Sequence, residues 1–220
     1  ECTKKADIAV LDGKIADVGD LGEEIQAKRV IDAEGKYIIP GVIDAHMHVY
    51  APFQGCVDKN DCYEQSVSAA FGGVTMFMDF TNTYKGDSVL KKVKVRHEEM
   101  KISAIDYGIH GKIVEFNSQV AEELKDIIDY GCPTYKLFTI YKKEGVMCSD
   151  ETMLQIFELS KLNGGMPMVH CESDPIAAMN NQRFSEEGKK AGFLRAGGIF
   201  ESHHIRQICR LSADRRSHYQ

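Results

Sequence analysis

The sequence predicts an α/β protein: part of a TIM-like (β/α)8 barrel, with about five βα units, preceded by part of a small β-sandwich. Three observations predict it. From Val42 onward short apolar runs alternate with helix-like stretches, before Val42 short strand-like runs follow one another with only turns between them, and several of the later runs end on histidine or enclose lysine.

Residues 6–39 read as three short strands, ADIAVLDG, KIADVGD and KRVIDAEGKYIIP, with Asp12-Gly13 and Glu34-Gly35 as turns. This β unit, residues 1–41, is expected to form the N-terminal part of the sandwich. The barrel portion is expected over residues 42–196, with strands in GVIDAHMHV, VTMFMDF, IDYGIHGKIV, TYKLFTI and PMVHC. The intervening helices are DCYEQSVSAAF, stopping at Gly72-Gly73, DSVLKKVKVRHEEMK, NSQVAEELKDIIDYG on an Asn cap, and SDETMLQIFELSKLNGG on a Ser cap. A closed barrel takes eight units and typically about 250 residues, whereas 179 run from Val42 to Gln220. The barrel is therefore expected to be unfinished. The tail, residues 197–220, shows neither a strand nor a clean amphipathic helix and stays unassigned, as a helix remnant or an aberrant or truncated end.

Composition narrows the function classes. A net charge of −6 and interleaved lysines, arginines and acids leave no basic stripe for phosphates, so nucleic acid is not an expected partner. No apolar run approaches a membrane span and the start, ECTKKADIAV, carries no secretory pattern, which predicts a soluble, cytoplasmic protein without a membrane partner. Seven cysteines at scattered spacing, with no CxxC, are expected to be reduced packing thiols rather than a disulfide framework or zinc ribbon.

The chemistry concentrates at four residues. His46 and His48 form an HxH pair at the end of IIPGVIDAHMHV; on a strand, residues two apart share a face, so both imidazoles would point to the barrel mouth, though ordinary hydrogen bonds at a strand edge would use the same pair. Lys136 lies inside the apolar run CPTYKLFTIY. A buried ammonium pairs with an acid, loses its proton or is modified, unless it snorkels to solvent; a neutral amine can capture carbon dioxide as a carbamate able to bridge two cations. His170 closes PMVHCES and alone would read as a core histidine. The ends of the first, fourth and fifth barrel strands would bring all four to one mouth. His203, His204 and Asp214 lack a preceding apolar strand and are poor ligand candidates.

PGVIDAHMHV resembles the metal-binding motif that opens the amidohydrolase superfamily barrel, and APFQG, AAFGGVTMFMDF, DYGIHGKIVE and YKLFTIYK resemble its dihydropyrimidinase and hydantoinase branch. Dihydroorotases place an arginine, and allantoinases usually an asparagine, where this chain has Tyr50. The resemblance runs from about Ala6 to His170. It implies two divalent metal ions, with zinc the default, His46 and His48 on the more buried one, carboxylated Lys136 bridging, and His170 on the second. It also implies Tyr141 as catalytic and substrate-binding donor to the oxyanion, with Phe53 as a weaker candidate for the substrate pocket. The implied reaction opens a cyclic ureide or amide, a dihydropyrimidine or hydantoin, to an N-carbamoyl amino acid, in a homo-oligomer, a tetramer, at full length. A sixth-strand histidine and an eighth-strand aspartate that the family uses have no counterpart here, so this piece alone is expected to turn over little. The rival expectations are a non-enzymatic scaffold of the same fold and an allantoinase-like hydrolase.

Overall fold

The computed structural model describes residues 3–22, 26–52 and 57–187, and the chain divides into two compact units, Glu1–Pro40 and Gly41–Gln220. In the first unit β1 (Asp7–Leu11) and β2 (Lys14–Gly19) form an antiparallel hairpin with Leu11 opposite Lys14. The two-residue turn has φ of 50° at Asp12 and 74° at Gly13, the left-handed pair that matches the twist of a hairpin. Ala9 faces Asp17 and Val10 faces Ile15, so Ala16 is the extra residue of a bulge. The third strand expected from KRVIDAEGKYIIP is absent: its turn forms, with Gly35 at φ 73° and Lys36 N–H donating to Ala33 O at 3.0 Å, but no strand does. Val30 and Ile39 stay 82% and 69% exposed. Alternating apolar residues make a strand only when they pair with a neighbouring edge, and none of the described strands pairs with this segment.

The second unit is a five-stranded parallel sheet in sequential order, β3 (Val42–Asp44), β4 (Val74–Phe80), β5 (Asp106–Lys112), β6 (Thr134–Phe138) and β7 (Met166–His170). A helix follows each strand: α1 (Cys62–Phe71), α2 (Val89–Met100), α3 (Ser118–Asp129), α4 (Asp150–Asn163) and α5 (Asp174–Glu186). Sequential parallel order with one helix per crossover is the arrangement of part of a TIM-like barrel, as the βα alternation predicts. The helix starts follow local chemistry. Asp61, Ser88, Asn117 and Ser149 each accept the N–H three residues on, at 2.9, 3.0, 2.9 and 3.1 Å, satisfying one of the orphan donors of the first turn. Gly164, at φ 80°, ends α4. α5 was not legible as a helix. It begins on Ser173 without a side-chain cap bond, and its Pro175 supplies the preset φ of a first turn.

The main core lies between α2, α3 and α4 and the helix-facing side of β5 and β6. It joins Val89, Val93, Val120, Leu124, Ile127, Met153 and Ile156 to Ile109, Tyr135 and Leu137. Because alternate strand residues face opposite ways, these positions leave Phe80, His110, Lys112, Thr134, Lys136, Phe138 and His170 to share the other face. Leu124 is fully buried at the centre of α3. Leu124→Ala is expected to cost about 2–5 kcal/mol, measured as a shift of the urea midpoint with an unchanged slope. A loss below about 0.5 kcal/mol would mean that this helix does not pack as described.

Candidate functional site

The chemistry-bearing side chains gather at the carboxyl ends of the parallel strands, around Phe80. β3 stops at Asp44, so the expected strand over GVIDAHMHV is shorter than its apolar run, and His46 and His48 follow it in bent chain. They converge through that bend rather than through strand alternation. Their ring centroids are 5.2 Å apart, edge to face, and both pack on Phe80, at 4.6 and 4.7 Å.

Lys136 is central in β6 and only 6% exposed. Its Nζ lies 5.6 Å from the Phe80 ring centre and 5.4 Å from that of Phe138. Among the described residues no carboxylate reaches ion-pair distance of Nζ, which removes the acid-pairing reading, and its burial removes the snorkelling one. Burial pushes its pKa below the ordinary lysine value, favouring the neutral, nucleophilic amine. Lys112 is its register partner on β5 and so leaves the same face. The Lys112 Nζ sits 4.6 Å from the Tyr84 ring centre, and its pKa is pushed down to about 8, first by burial and then by the Lys92 charge.

His170 ends β7 as expected, with Nε2 2.6 Å from Glu172 Oε2. Its ring packs at 5.8 Å on Phe138 and 5.6 Å on Tyr141. Tyr141 sits at φ 70°, a left-handed conformation that costs a non-glycine residue on the order of 1–2 kcal/mol. Such outliers gather at functional sites. Burial, then the nearby charges of Glu172 and Glu144, raises the Tyr141 pKa, so the phenol keeps its proton and can donate. Phe53, His203, His204 and Asp214 lie outside the described residues.

Sequence reasoning missed three neighbours. Phe80 is the shared platform. His110, 4% exposed on β5, lies 4.9 Å from Phe80; its Nε2 donates to Ala45 O at 3.1 Å, so its Nδ1 accepts from Thr134 Oγ1 at 2.6 Å. Glu172 orients His170. An imidazole inside the apolar run IDYGIHGKIV was the available signal for His110, and the acid two residues past His170 the signal for Glu172.

Partial withdrawal from water is the largest cause lowering the pKa of His46, His48 and His110, and Lys136 lowers each further whenever its amine is charged. All three imidazoles are thus held in the neutral form that ligates a metal. Because the unfolded chain takes up these protons near pH 6.5 and the folded chain only lower, stability is complete above pH 6.5 and declines as pH falls through the depressed values. The metal-free protein is expected to show a lower urea midpoint at pH 5.5 than at 7.5, above the range where carboxylates titrate. An unchanged midpoint would show that the three rings protonate as freely folded as unfolded.

The donor set fits a metal in one specific way. Among the described residues no three His, Cys, Asp or Glu side chains are assembled to hold an ion. What converges instead is the His46–His48 pair on one side and His170 on the other, with the unpaired Lys136 between them. A hollow of about 470 Å³ lined by Met76 and residues 103–107 lies at the other, amino end of β4 and β5, away from these groups.

Residues 37–210 match the Amidohydrolase family. The chain belongs to that family. It is 37% identical over 186 residues to a D-hydantoinase of Geobacillus stearothermophilus, a stretch that is 84% of this chain and 39% of the relative. It is 32% identical over 179 residues to the dihydropyrimidinase of Rattus norvegicus, covering 79% of this chain and 34% of that protein. A crystal structure of D-hydantoinase from Bacillus sp. AR9 superimposes with a TM-score of 0.87 at 31% identity, over 96% of this chain and 47% of that one. The chain therefore spans less than half the length of these relatives. Membership of the amidohydrolase family implies a divalent metal site. Among the described residues no helix is long and apolar enough to cross a membrane.

Proposed function

We propose that this chain supplies the first half of the active site of a metal-dependent hydrolase that opens cyclic ureides or amides, dihydropyrimidines or hydantoins, to N-carbamoyl amino acids. The observation that carries the reading is Lys136: a lysine buried among aromatic rings, without an acid partner among the described residues, between two neutral imidazoles and a third histidine at the carboxyl ends of parallel strands. The names of the relatives supply the substrate class.

In this reading residues 1–41 are part of a β-sandwich and residues 42–196 the first part of the catalytic barrel, in a homotetrameric cytoplasmic enzyme. His46 and His48 would hold one ion and His170 a second, with Lys136, carboxylated on Nζ, as a further ligand; zinc is the expected metal. A bound pair of such ions lowers the pKa of water and polarises a carbonyl. The chain's own contribution is positional. Phe80 fixes the planes of His46 and His48, Glu172 holds the His170 ring, and the Tyr141 phenol donates a hydrogen bond to the oxygen that gains charge when the ring carbonyl is attacked. Phe53 is proposed to line the pocket for a ring substituent.

The test is to incubate the protein, in its natural length, with zinc and bicarbonate, measure bound metal, and follow 5,6-dihydrouracil and hydantoin to their N-carbamoyl products by mass spectrometry. Metal uptake with ring opening supports the reading. Absence of both, with a fold indifferent to chelator, would replace it with a non-enzymatic scaffold.

A further inference from the structure

The segment carrying His46 and His48 is pinned along its length although no strand contains it. Ala45 O accepts from His110, His46 N–H donates to Asp44 Oδ1 at 3.0 Å, and Met47 N–H donates to Met78 O at 2.9 Å. The last hold is of a different kind. Val49, fully buried, donates its N–H to Asp79 Oδ1 at 3.0 Å, while its carbonyl accepts from Arg96 Nη2. Asp79 Oδ2 accepts from Arg96 Nε at 2.5 Å, and Arg96 Nη1 donates to Glu99 Oε2 at 2.7 Å. The Asp79 side chain is 0% and that of Arg96 5% exposed.

A buried ion pair is weak support for net stability, since desolvation takes back most of its Coulomb energy and apolar residues would fill the space as well. What apolar residues would not do is satisfy both polar groups of a buried peptide that has left the sheet. A carboxylate bound to a guanidinium offers an acceptor and a donor at fixed spacing, and Val49 uses both. The arrangement is also two-sided. Asp79 faces the helices and holds the backbone one residue past His48, while its neighbour Phe80 faces the mouth and packs on both imidazoles.

We propose that Asp79 and Arg96 are positioning residues whose paired side chains clamp Val49 and so fix the His46–His48 segment for metal binding. The inference rests on the reading that these histidines hold a metal, and it adds that their placement is set from behind the sheet by α2. Arg96→Lys is the discriminating variant, because an ammonium keeps the charge but lacks the planar fork that reaches Asp79, Val49 O and Glu99 together. Asp79→Asn is the second, keeping an acceptor for Val49 while losing the charge.

Both variants, in the natural-length protein, are compared with wild type by hydrogen exchange of the peptide spanning residues 44–52 and by zinc competition against a chromophoric chelator. Exchange in that peptide is expected to quicken by about tenfold or more while α3 and α4 keep their protection. Zinc affinity is expected to fall about ten- to a hundred-fold. Unchanged exchange and affinity would overturn the proposal. So would a loss of protection spread evenly through α3 and α4, which is what a merely structural pair gives. If Asp79→Asn does not fold, Arg96→Lys decides. If wild type binds no zinc, the hydrolase reading fails separately; the clamp then stands if exchange quickens only in the 44–52 peptide and falls if it does not.

Discussion

Lys136→Met is expected to make the metal-free protein more stable and the enzyme inactive. Methionine has similar reach, fits the space between Phe80 and Phe138, and replaces an amine whose charge that space disfavours. A gain of about 0.5–2 kcal/mol at neutral pH is in the range seen when a functional residue is exchanged for one that suits its surroundings. The gain has a defined pH dependence. Since burial lowers the folded pKa of Lys136, the cost of keeping lysine is present at neutral pH and disappears as pH rises to the unfolded value, near 10.5. The two proteins should therefore converge in stability in strong base. On the hydrolase reading zinc and bicarbonate reverse the order: they should raise the wild-type unfolding temperature and leave Lys136→Met unmoved, because only an amine can form the proposed carbamate. In a polypeptide with a complete barrel, kcat/KM should fall by roughly a thousandfold or more, about 4 kcal/mol of transition-state stabilisation. A variant that keeps activity, or loses stability at neutral pH, would remove Lys136 from the site.

The second large effect belongs to His46 and His48. Both side chains keep much of their surface in water, are covered on one side by Phe80, and lie past the end of β3, so His46→Ala and His48→Ala should change stability without metal by no more than about 0.5 kcal/mol. Metal affinity should respond strongly. A four-ligand zinc site is worth roughly 10–16 kcal/mol, so each imidazole carries about 3 kcal/mol, or about a hundredfold in affinity. The double variant should retain no zinc against a nanomolar chelator. His97→Ala serves as control, since His97 lies on α2 and packs on Tyr107 and Tyr130. It should retain zinc as wild type does. Equal zinc binding by His97→Ala and the double variant would place the metal elsewhere and favour the scaffold reading.

The sequence by itself determined the βα alternation, four of the five helix starts, and the histidine or lysine that marks the first, fourth and fifth barrel strands at the mouth. These are local facts: a Ser or Asn cap acts within one turn, and a lysine in TYKLF is buried wherever that strand is buried. Tertiary structure decided what depends on a partner remote in the chain. KRVIDAEGKYIIP has the alternation of a strand and none of the pairing, because pairing needs an edge that no local pattern encodes. His46 and His48 lie beyond β3 and meet through a bend, held by Phe80 in front and by Asp79 with Arg96 behind, residues 30 or more positions away. Spacing along the chain reports which side chains share a face. Which backbone groups must leave the sheet, and what then satisfies them, is settled only when distant polar atoms compete for the same buried peptide.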